Sequence, residues 1–97
     1  MPYFLTTHYF VDANAHRTII NKNNKATRHE LASKLTTPHA ECYLTIVLAE
    51  KPIQHCYWKA RTAEDIHDAL GQFTKYYKRT VIAQCHPLKA TSQKRVC

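Results

Sequence analysis

Glycine is almost absent from this chain: Gly71 is the one glycine among 97 residues. A loop that cradles phosphate groups needs several glycines close together, so a phosphate-binding loop of this kind is excluded. No apolar run approaches the roughly 20 residues that a membrane helix needs. The first residues also lack the basic and then apolar pattern of a signal peptide. We therefore predict a cytoplasmic protein that makes no membrane contact.

Closely spaced cysteine pairs are also missing. No two of the four cysteines have C-x-x-C spacing, which excludes a zinc ribbon or a thioredoxin-like motif. Without a secretion signal, reduced thiols are expected. Seven histidines accompany them, and imidazole and thiolate ligands suit nickel, zinc and copper. A metal site is then possible wherever three or four of these side chains converge. The cysteines are Cys42, Cys56, Cys85 and Cys97.

Acidic residues are scarce, seven against 14 basic ones, which gives a net charge of +7. Such a balance favours anionic partners, nucleic acid among them. The basic residues are spread along the chain, however, which is also typical of solvated surface charge. Residues 89–97 are polar and basic and are predicted to form a disordered tail. Residues 1–88 are predicted to form a single domain.

The distribution of apolar and β-branched residues predicts four strands and two helices. A break in the first helix is possible at Asn21 to Asn24, because asparagine side chains compete with the helical backbone for hydrogen bonds. Thr62 is the expected N-cap of the second helix, with Asp65 as its capping partner. That helix carries an apolar stripe of Ile66, Leu70, Phe73 and Tyr77. The other predicted ranges are the strands 3–11, 41–49, 54–60 and 80–86 and the first helix over 13–35.

This order, βαββαβ, is typical of the ferredoxin-like fold, an α+β architecture with a four-stranded antiparallel sheet. We expect the first and third strands at the centre, parallel to each other. The second strand should lie beside the third, the fourth beside the first, and both helices on one face. His8 would then lie at the same end of the sheet as Trp58 and Ala60.

Neither face of the predicted sheet is polar enough to lie bare in water. Strict alternation groups Tyr43, Thr45, Val47, Cys56 and Trp58 on one face, and the leucine-rich opposite face is assigned to the helices. The face with cysteine and aromatic residues then needs a second cover, and another copy of the chain is the simplest one. We therefore predict a homodimer that forms an α/β barrel.

Two segments resemble a known family. Residues 2–10, Pro-Tyr-Phe-Leu-Thr-Thr-His-Tyr-Phe, are similar to the first strand of small nickel-binding, nickel-responsive ferredoxin-like proteins and their wider family of uncharacterised α+β domains. Residues 56–67 resemble the third strand and second helix of that family. The resemblance implies a dimeric, non-enzymatic protein that binds a transition metal: nickel first, then zinc or copper. Its implied ligands are His8 and Cys56, with His67 third.

Two other functions stay open. A dimeric α/β-barrel enzyme, or a carrier for a small organic molecule, would hold its ligand near Tyr43 and Trp58. An RNA-binding domain of the same element order would stack bases on Trp58 and Phe4. The third strand lacks the glycine and aromatic alternation of RNA-recognition domains, which speaks against the RNA alternative.

Overall fold

The computed structural model describes residues 1–25 and 35–87. In these ranges the chain forms a four-stranded sheet, two α-helices and a 3-10 segment, in the βαββαβ order that the sequence predicts. The predicted ferredoxin-like fold is therefore confirmed. The bounds are β1 Tyr3–Phe10, α1 Ala13–Lys25, β2 Ala40–Val47, β3 Ile53–Ala60, α2 Ala63–Leu70, the 3-10 segment Gly71–Tyr76, and β4 Tyr77–Cys85.

The strands lie in the order β2-β3-β1-β4, as predicted. The two central strands, however, are antiparallel, and the expectation that they run parallel is wrong. β3 pairs antiparallel with both of its neighbours, with β2 through the hairpin that joins them and with β1 at the centre of the sheet. His8 therefore lies opposite Gln54, at the beginning of β3, and far from Ala60.

The start of α1 follows the sequence prediction. Asp12 caps the helix, since its Oδ1 accepts a 2.8 Å hydrogen bond from the amide of Ala15. Ala15 and Ile19 are buried against Phe10, and α1 continues through Asn21 to Lys25 without a break. Residues 26–34 of the predicted first helix lie outside the described residues, as does the predicted tail at 89–97. Leu35, the predicted last residue of this helix, is a buried turn residue instead.

The second helix is shorter than its apolar stripe suggests. It begins as predicted, with Thr62 Oγ1 accepting a 3.2 Å hydrogen bond from the amide of Asp65. It ends at Gly71, whose φ of 47° lies in the left-handed region that glycine adopts without strain. Phe73 then lies in the 3-10 segment and Tyr77 begins β4, so only Ile66 and Leu70 form a helical stripe.

A bulge in β2 takes Tyr43 out of the face that it was predicted to share with Thr45. Cys42 pairs with Trp58 and Thr45 with Cys56, and the register shifts between Cys42 and Leu44. A bulge inserts one extra residue into one strand. Odd-numbered residues therefore face one side of the sheet before the bulge and the other side after it. Cys42 and Thr45 consequently face the same way, and Tyr43 faces the other.

The helices cover the face that the sequence assigned to the dimer. Trp58, Cys56 and Ala60 are buried with Ile66 and Leu70 in the main core cluster. The assignment of the Leu44 and Ile46 side to the helices is therefore wrong, and that side is the uncovered one. The physical reason is volume: the indole of Trp58 is the largest fully buried side chain, and it fills the space under α2.

No helix in residues 1–25 and 35–87 is long and apolar enough to span a membrane.

Candidate functional site

Polar side chains of β1, β2 and β3 line the helix-facing side of the sheet. We call this set the buried polar cluster. Five of its six members are no more than 2% exposed, and four of these five are polar residues of types that are seldom fully buried. Tyr77, from the first position of β4, joins them through a hydrogen bond. The members are Thr6, His8, Thr45, Gln54, Cys56 and Tyr77.

His8 is held on three sides. Its Nε2 lies 2.8 Å from the hydroxyl of Thr6, and its Nδ1 lies 3.0 Å from the hydroxyl of Thr80. Its ring stacks on Tyr77 with 4.4 Å between centroids. Trp58 donates its indole N–H to the same Thr6 oxygen over 3.1 Å. The imidazole and the indole therefore share one hydroxyl partner, which fixes the orientation of both rings.

Gln54 organises the other half of the cluster. Its Oε1 accepts a 2.7 Å hydrogen bond from the phenol of Tyr77, and its Nε2 donates to Thr45 Oγ1 over 2.7 Å. The same nitrogen lies 3.7 Å from the sulfur of Cys56, which lies 3.4 Å from Thr45 Oγ1. Amide, phenol, hydroxyl and thiol thus form one continuous network beside the imidazole.

The network shifts the ionisation of its members. A hydrogen bond from the thiol of Cys42 lowers the pKa of Cys56, burial opposes this, and the neighbouring His8 lowers the pKa further. The same contact with Cys56, together with burial, raises the pKa of Cys42. Burial also raises the pKa of Tyr77, as does the charge of Cys56.

The implied metal ligands are only partly brought together. His8 and Cys56 interact in the buried polar cluster, whereas His67 is exposed on α2. Among residues 1–25 and 35–87, no three His, Cys, Asp or Glu side chains form a group that could hold a metal ion. Nickel, zinc or copper binding stays a prediction.

The two residues predicted for a ligand pocket lie on opposite sides of the sheet. Trp58 is fully buried beneath the helices, and Tyr43 is 42% exposed on the uncovered side. The bases of an RNA also could not reach Trp58 and Phe4 as predicted, since Phe4 is buried in the same core cluster. The β2 bulge explains the first separation, because it breaks the alternation on which the shared face was predicted.

The uncovered side of the sheet, which we call the open face, is rich in apolar and aromatic side chains. Leu5, Tyr43, Ile46 and Val81 are 38–46% exposed there. Tyr3 stacks on Tyr57 at 5.7 Å and on Tyr43 at 6.4 Å, and these three residues are called the tyrosine cluster below. The homodimer and its barrel stay predictions, and this face, not the one with Cys56 and Trp58, is the surface available for them.

Sequence reasoning missed several members of the buried polar cluster. Phe4, Thr6, His8 and Phe10 alternate along β1, and Gln54, Cys56 and Trp58 alternate along β3. Alternate residues of a strand face the same side of the sheet. Each of these two sets mixes polar with large aromatic residues, and this mixture indicates a polar site within the core. The sequence does not mark Tyr77 as a strand residue, because its spacing continues the apolar stripe of the second helix.

Comparisons with known proteins identify the fold alone. No protein-family model matches the chain, and no curated protein matches it. A solved structure described as the crystal structure of antibiotic biosynthesis monooxygenase is similar, with a TM-score of 0.52 and 7% sequence identity. The likeness covers 92% of this chain and 100% of the other. The chain therefore has the ferredoxin-like architecture of that monooxygenase.

Proposed function

We propose that this domain binds a small organic molecule on the helix-facing side of its sheet, as an enzyme or as a carrier. The observation that carries the proposal is the buried polar cluster itself. An amide, an imidazole, a phenol, a thiol and two hydroxyls lie within a core otherwise lined by large apolar side chains. Burying polar groups costs free energy unless each is hydrogen-bonded, so a core that needs only stability is usually apolar.

The chemistry of the cluster suggests the class of ligand. Ligand sites are largely apolar and have a few polar groups that fix orientation. Here Trp58 and Tyr77 supply ring surfaces, and Gln54 supplies an amide that can donate to a carbonyl or accept from a hydroxyl. No carboxylate or ammonium group belongs to the cluster, which favours an uncharged, planar molecule with a hydroxyl or carbonyl group.

Two members could take part in a reaction. His8 can accept or donate a proton at the hydroxyl of Thr6 or Thr80, its two partners. Cys56, whose pKa is lowered, lies beside it. The similar fold described as a monooxygenase supports an oxidation of the bound molecule as the first reaction to test.

Trp58 gives a direct test, since it is the one tryptophan of the chain. We expect its emission to change when the protein is titrated with a panel of small phenols and quinones. Gln54→Leu should weaken that binding, because it removes the amide at the centre of the network. Gln84→Leu is the matched control, since Gln84 is exposed on β4.

A panel that leaves the Trp58 emission unchanged, or equal affinity in Gln54→Leu and wild type, would contradict the proposal. Uptake of dioxygen with a bound phenol, measured with an oxygen electrode, would identify an enzyme. Release of the phenol unchanged would identify a carrier.

Transition-metal binding is a second candidate, and the observation in its favour is that the Thr6 hydroxyl contacts both the ring of His8 and the backbone carbonyl of Cys56. Both imidazole nitrogens have hydroxyl partners, so a metal would have to displace Thr6 or Thr80. Titration of the reduced protein with Ni²⁺ tests this candidate. His8→Ala should abolish binding, and the exposed His67→Ala should show whether the third implied ligand contributes.

A further inference from the structure

We propose that the open face binds single-stranded nucleic acid, with the tyrosine cluster as the platform on which bases stack. This function uses the opposite side of the sheet from the proposed ligand site and does not depend on it. The residues that carry it are Tyr3, Tyr43 and Tyr57, with Lys59 and Arg79 as the cations.

The tyrosine cluster forms one continuous aromatic surface. The Tyr3 ring lies within 22° of the plane of Tyr43 and within 16° of the plane of Tyr57. Tyr43 and Tyr57 are 5.9 Å apart, which closes the triangle. Tyr3 and Tyr57 come from the two central strands, so the surface lies across the middle of the sheet. Tyr43 is exposed, and Tyr3 and Tyr57 are half-buried. Aromatic rings that solvent can reach stack with bases of any sequence, because every base has a π-face.

Cations lie next to these rings. The ammonium of Lys59 lies 5.9 Å from the centroid of the Tyr3 ring. Further along β1, the guanidinium of Arg79 lies 5.6 Å from the ring of Tyr9. A strand stacked on the tyrosine cluster would place its phosphates within reach of Lys59, where a positive charge favours them. Glu41, which pairs with Lys59, is the acidic residue of this region.

Charge favours a polyanion over a second copy of the chain as the occupant of this face. Each chain carries +7, so two copies would bring charges of the same sign together. The sequence that follows β4 adds Lys89, Lys94 and Arg95 and no acidic residue. The last residue of β4, Cys85, lies opposite Tyr3 of the tyrosine cluster.

Fluorescence anisotropy with labelled, mixed-sequence oligonucleotides of about 10 nucleotides tests the proposal on the full chain. The three probes are single-stranded RNA, single-stranded DNA and duplex DNA. We expect both single strands to bind more tightly than the duplex, whose bases are already stacked. A preference for RNA would support the proposal and add a contact to the 2′-hydroxyl.

Tyr57→Leu and Tyr43→Leu should each weaken single-strand binding about tenfold or more, since stacking on an aromatic side chain contributes that much per base. Tyr76→Leu is the matched control: Tyr76 is a tyrosine beside a lysine, Lys75, but lies in the 3-10 segment away from this face. Circular dichroism and thermal unfolding identify variants that fold. If Tyr57→Leu does not fold, Tyr43→Leu, at an exposed position, still gives the answer.

Salt dependence tests the role of the cation. Lys59→Gln should reduce the slope of log affinity against log salt by about 0.7, the value for one phosphate contact on a single strand. The exposed Lys51→Gln, in the β2–β3 hairpin, is the matched control.

Three results would overturn the proposal. The first is equal affinity for duplex and single strands, which would mean attraction by net charge alone. The second is unchanged affinity in both tyrosine variants that fold. The third is a dimer in sedimentation velocity that Tyr43→Leu dissociates while the wild type fails to bind oligonucleotides, which would assign the open face to a second copy.

Discussion

The phenol of Tyr77 donates a 2.7 Å hydrogen bond to the side-chain carbonyl of Gln54, although the two residues belong to strands that are not neighbours. The bond crosses over β1 on the helix-facing side of the sheet, and the Tyr77 ring covers His8 on the way. One contact therefore connects the edge strand β4 to the half of the site that Gln54 organises.

Tyr77→Phe should destabilise the fold by about 1–3 kcal/mol, because it leaves the buried Gln54 Oε1 without its donor. Urea unfolding followed by Trp58 emission measures the change. Tyr76→Phe is the control, since within the described residues the Tyr76 hydroxyl makes no hydrogen bond, and it should shift the free energy of unfolding by less than about 0.5 kcal/mol. Equal effects in the two variants would show that the Tyr77–Gln54 bond contributes little.

The raised pKa of Tyr77 predicts a loss of stability at high pH. The folded chain keeps this phenol protonated above pH 10, where the same phenol in the unfolded chain ionises. The unfolded state then binds fewer protons than the folded state, so the free energy of unfolding falls as pH rises.

The expected slope from this one group is about 1.4 kcal/mol per pH unit above its unfolded pKa of about 10. Urea titrations of wild type and Tyr77→Phe between pH 8 and pH 11 separate the contribution of Tyr77 to this slope from the contributions of other ionisable groups. The difference in stability between the two proteins should shrink over that interval. A constant difference would mean that Tyr77 ionises as freely in the folded chain as in the unfolded one.

Trp58 should be the most sensitive position of the core. Trp58→Ala removes a fully buried indole and should cost about 3–5 kcal/mol, enough to prevent folding of a domain with a small stability margin. Trp58→Phe keeps much of the volume but leaves Thr6 without the indole N–H. We expect it to fold with reduced stability, measured by circular dichroism during urea unfolding. A Trp58→Phe protein as stable as wild type would show that neither the hydrogen bond nor the extra ring volume matters.

Gly71→Ala should destabilise the junction between α2 and the 3-10 segment by about 1–2 kcal/mol, because φ at this position is positive. A Cβ atom here would meet no atom within 4 Å, so backbone strain is the whole cost. Gly71→Asn should cost about as much, because ψ here is −121°, outside the left-handed helical region that asparagine tolerates. Thermal unfolding of both variants tests this, and an alanine variant as stable as wild type would contradict it.

The sequence predicts the fold well because the fold depends on periodic patterns. Strands of alternating residues and the Thr62 cap each act locally, and together they set the order of elements. The start of α1 at Ala13 is predicted for the same reason. Helix ends were harder: Phe73 and Tyr77 continue the period of α2, but Gly71 ends the helix before them.

The site was predictable only in part. His8 and Cys56 were chosen from their residue types and their resemblance to a family, and the structure brings them together. Gln54 and Tyr77 could not be linked to them, because their contact depends on the antiparallel register of β1 and β3 and on the end of α2. The bulge at Tyr43 could not be predicted either, because no particular residue type marks a bulge in a sequence. One extra residue changes which side chains of β2 share a face of the sheet.

That extra residue in β2 has a further consequence for how the chain can change. Removal of the single amino acid at position 43 would restore strict alternation in β2 without moving any other pair, because Cys42 already pairs with Trp58 and Leu44 with Tyr57. The polar interior would keep all its members, and one aromatic ring would leave the opposite side of the sheet. A one-residue deletion, rather than a set of point substitutions, is therefore the mildest route by which this scaffold could dismantle its stacked rings and keep its interior chemistry.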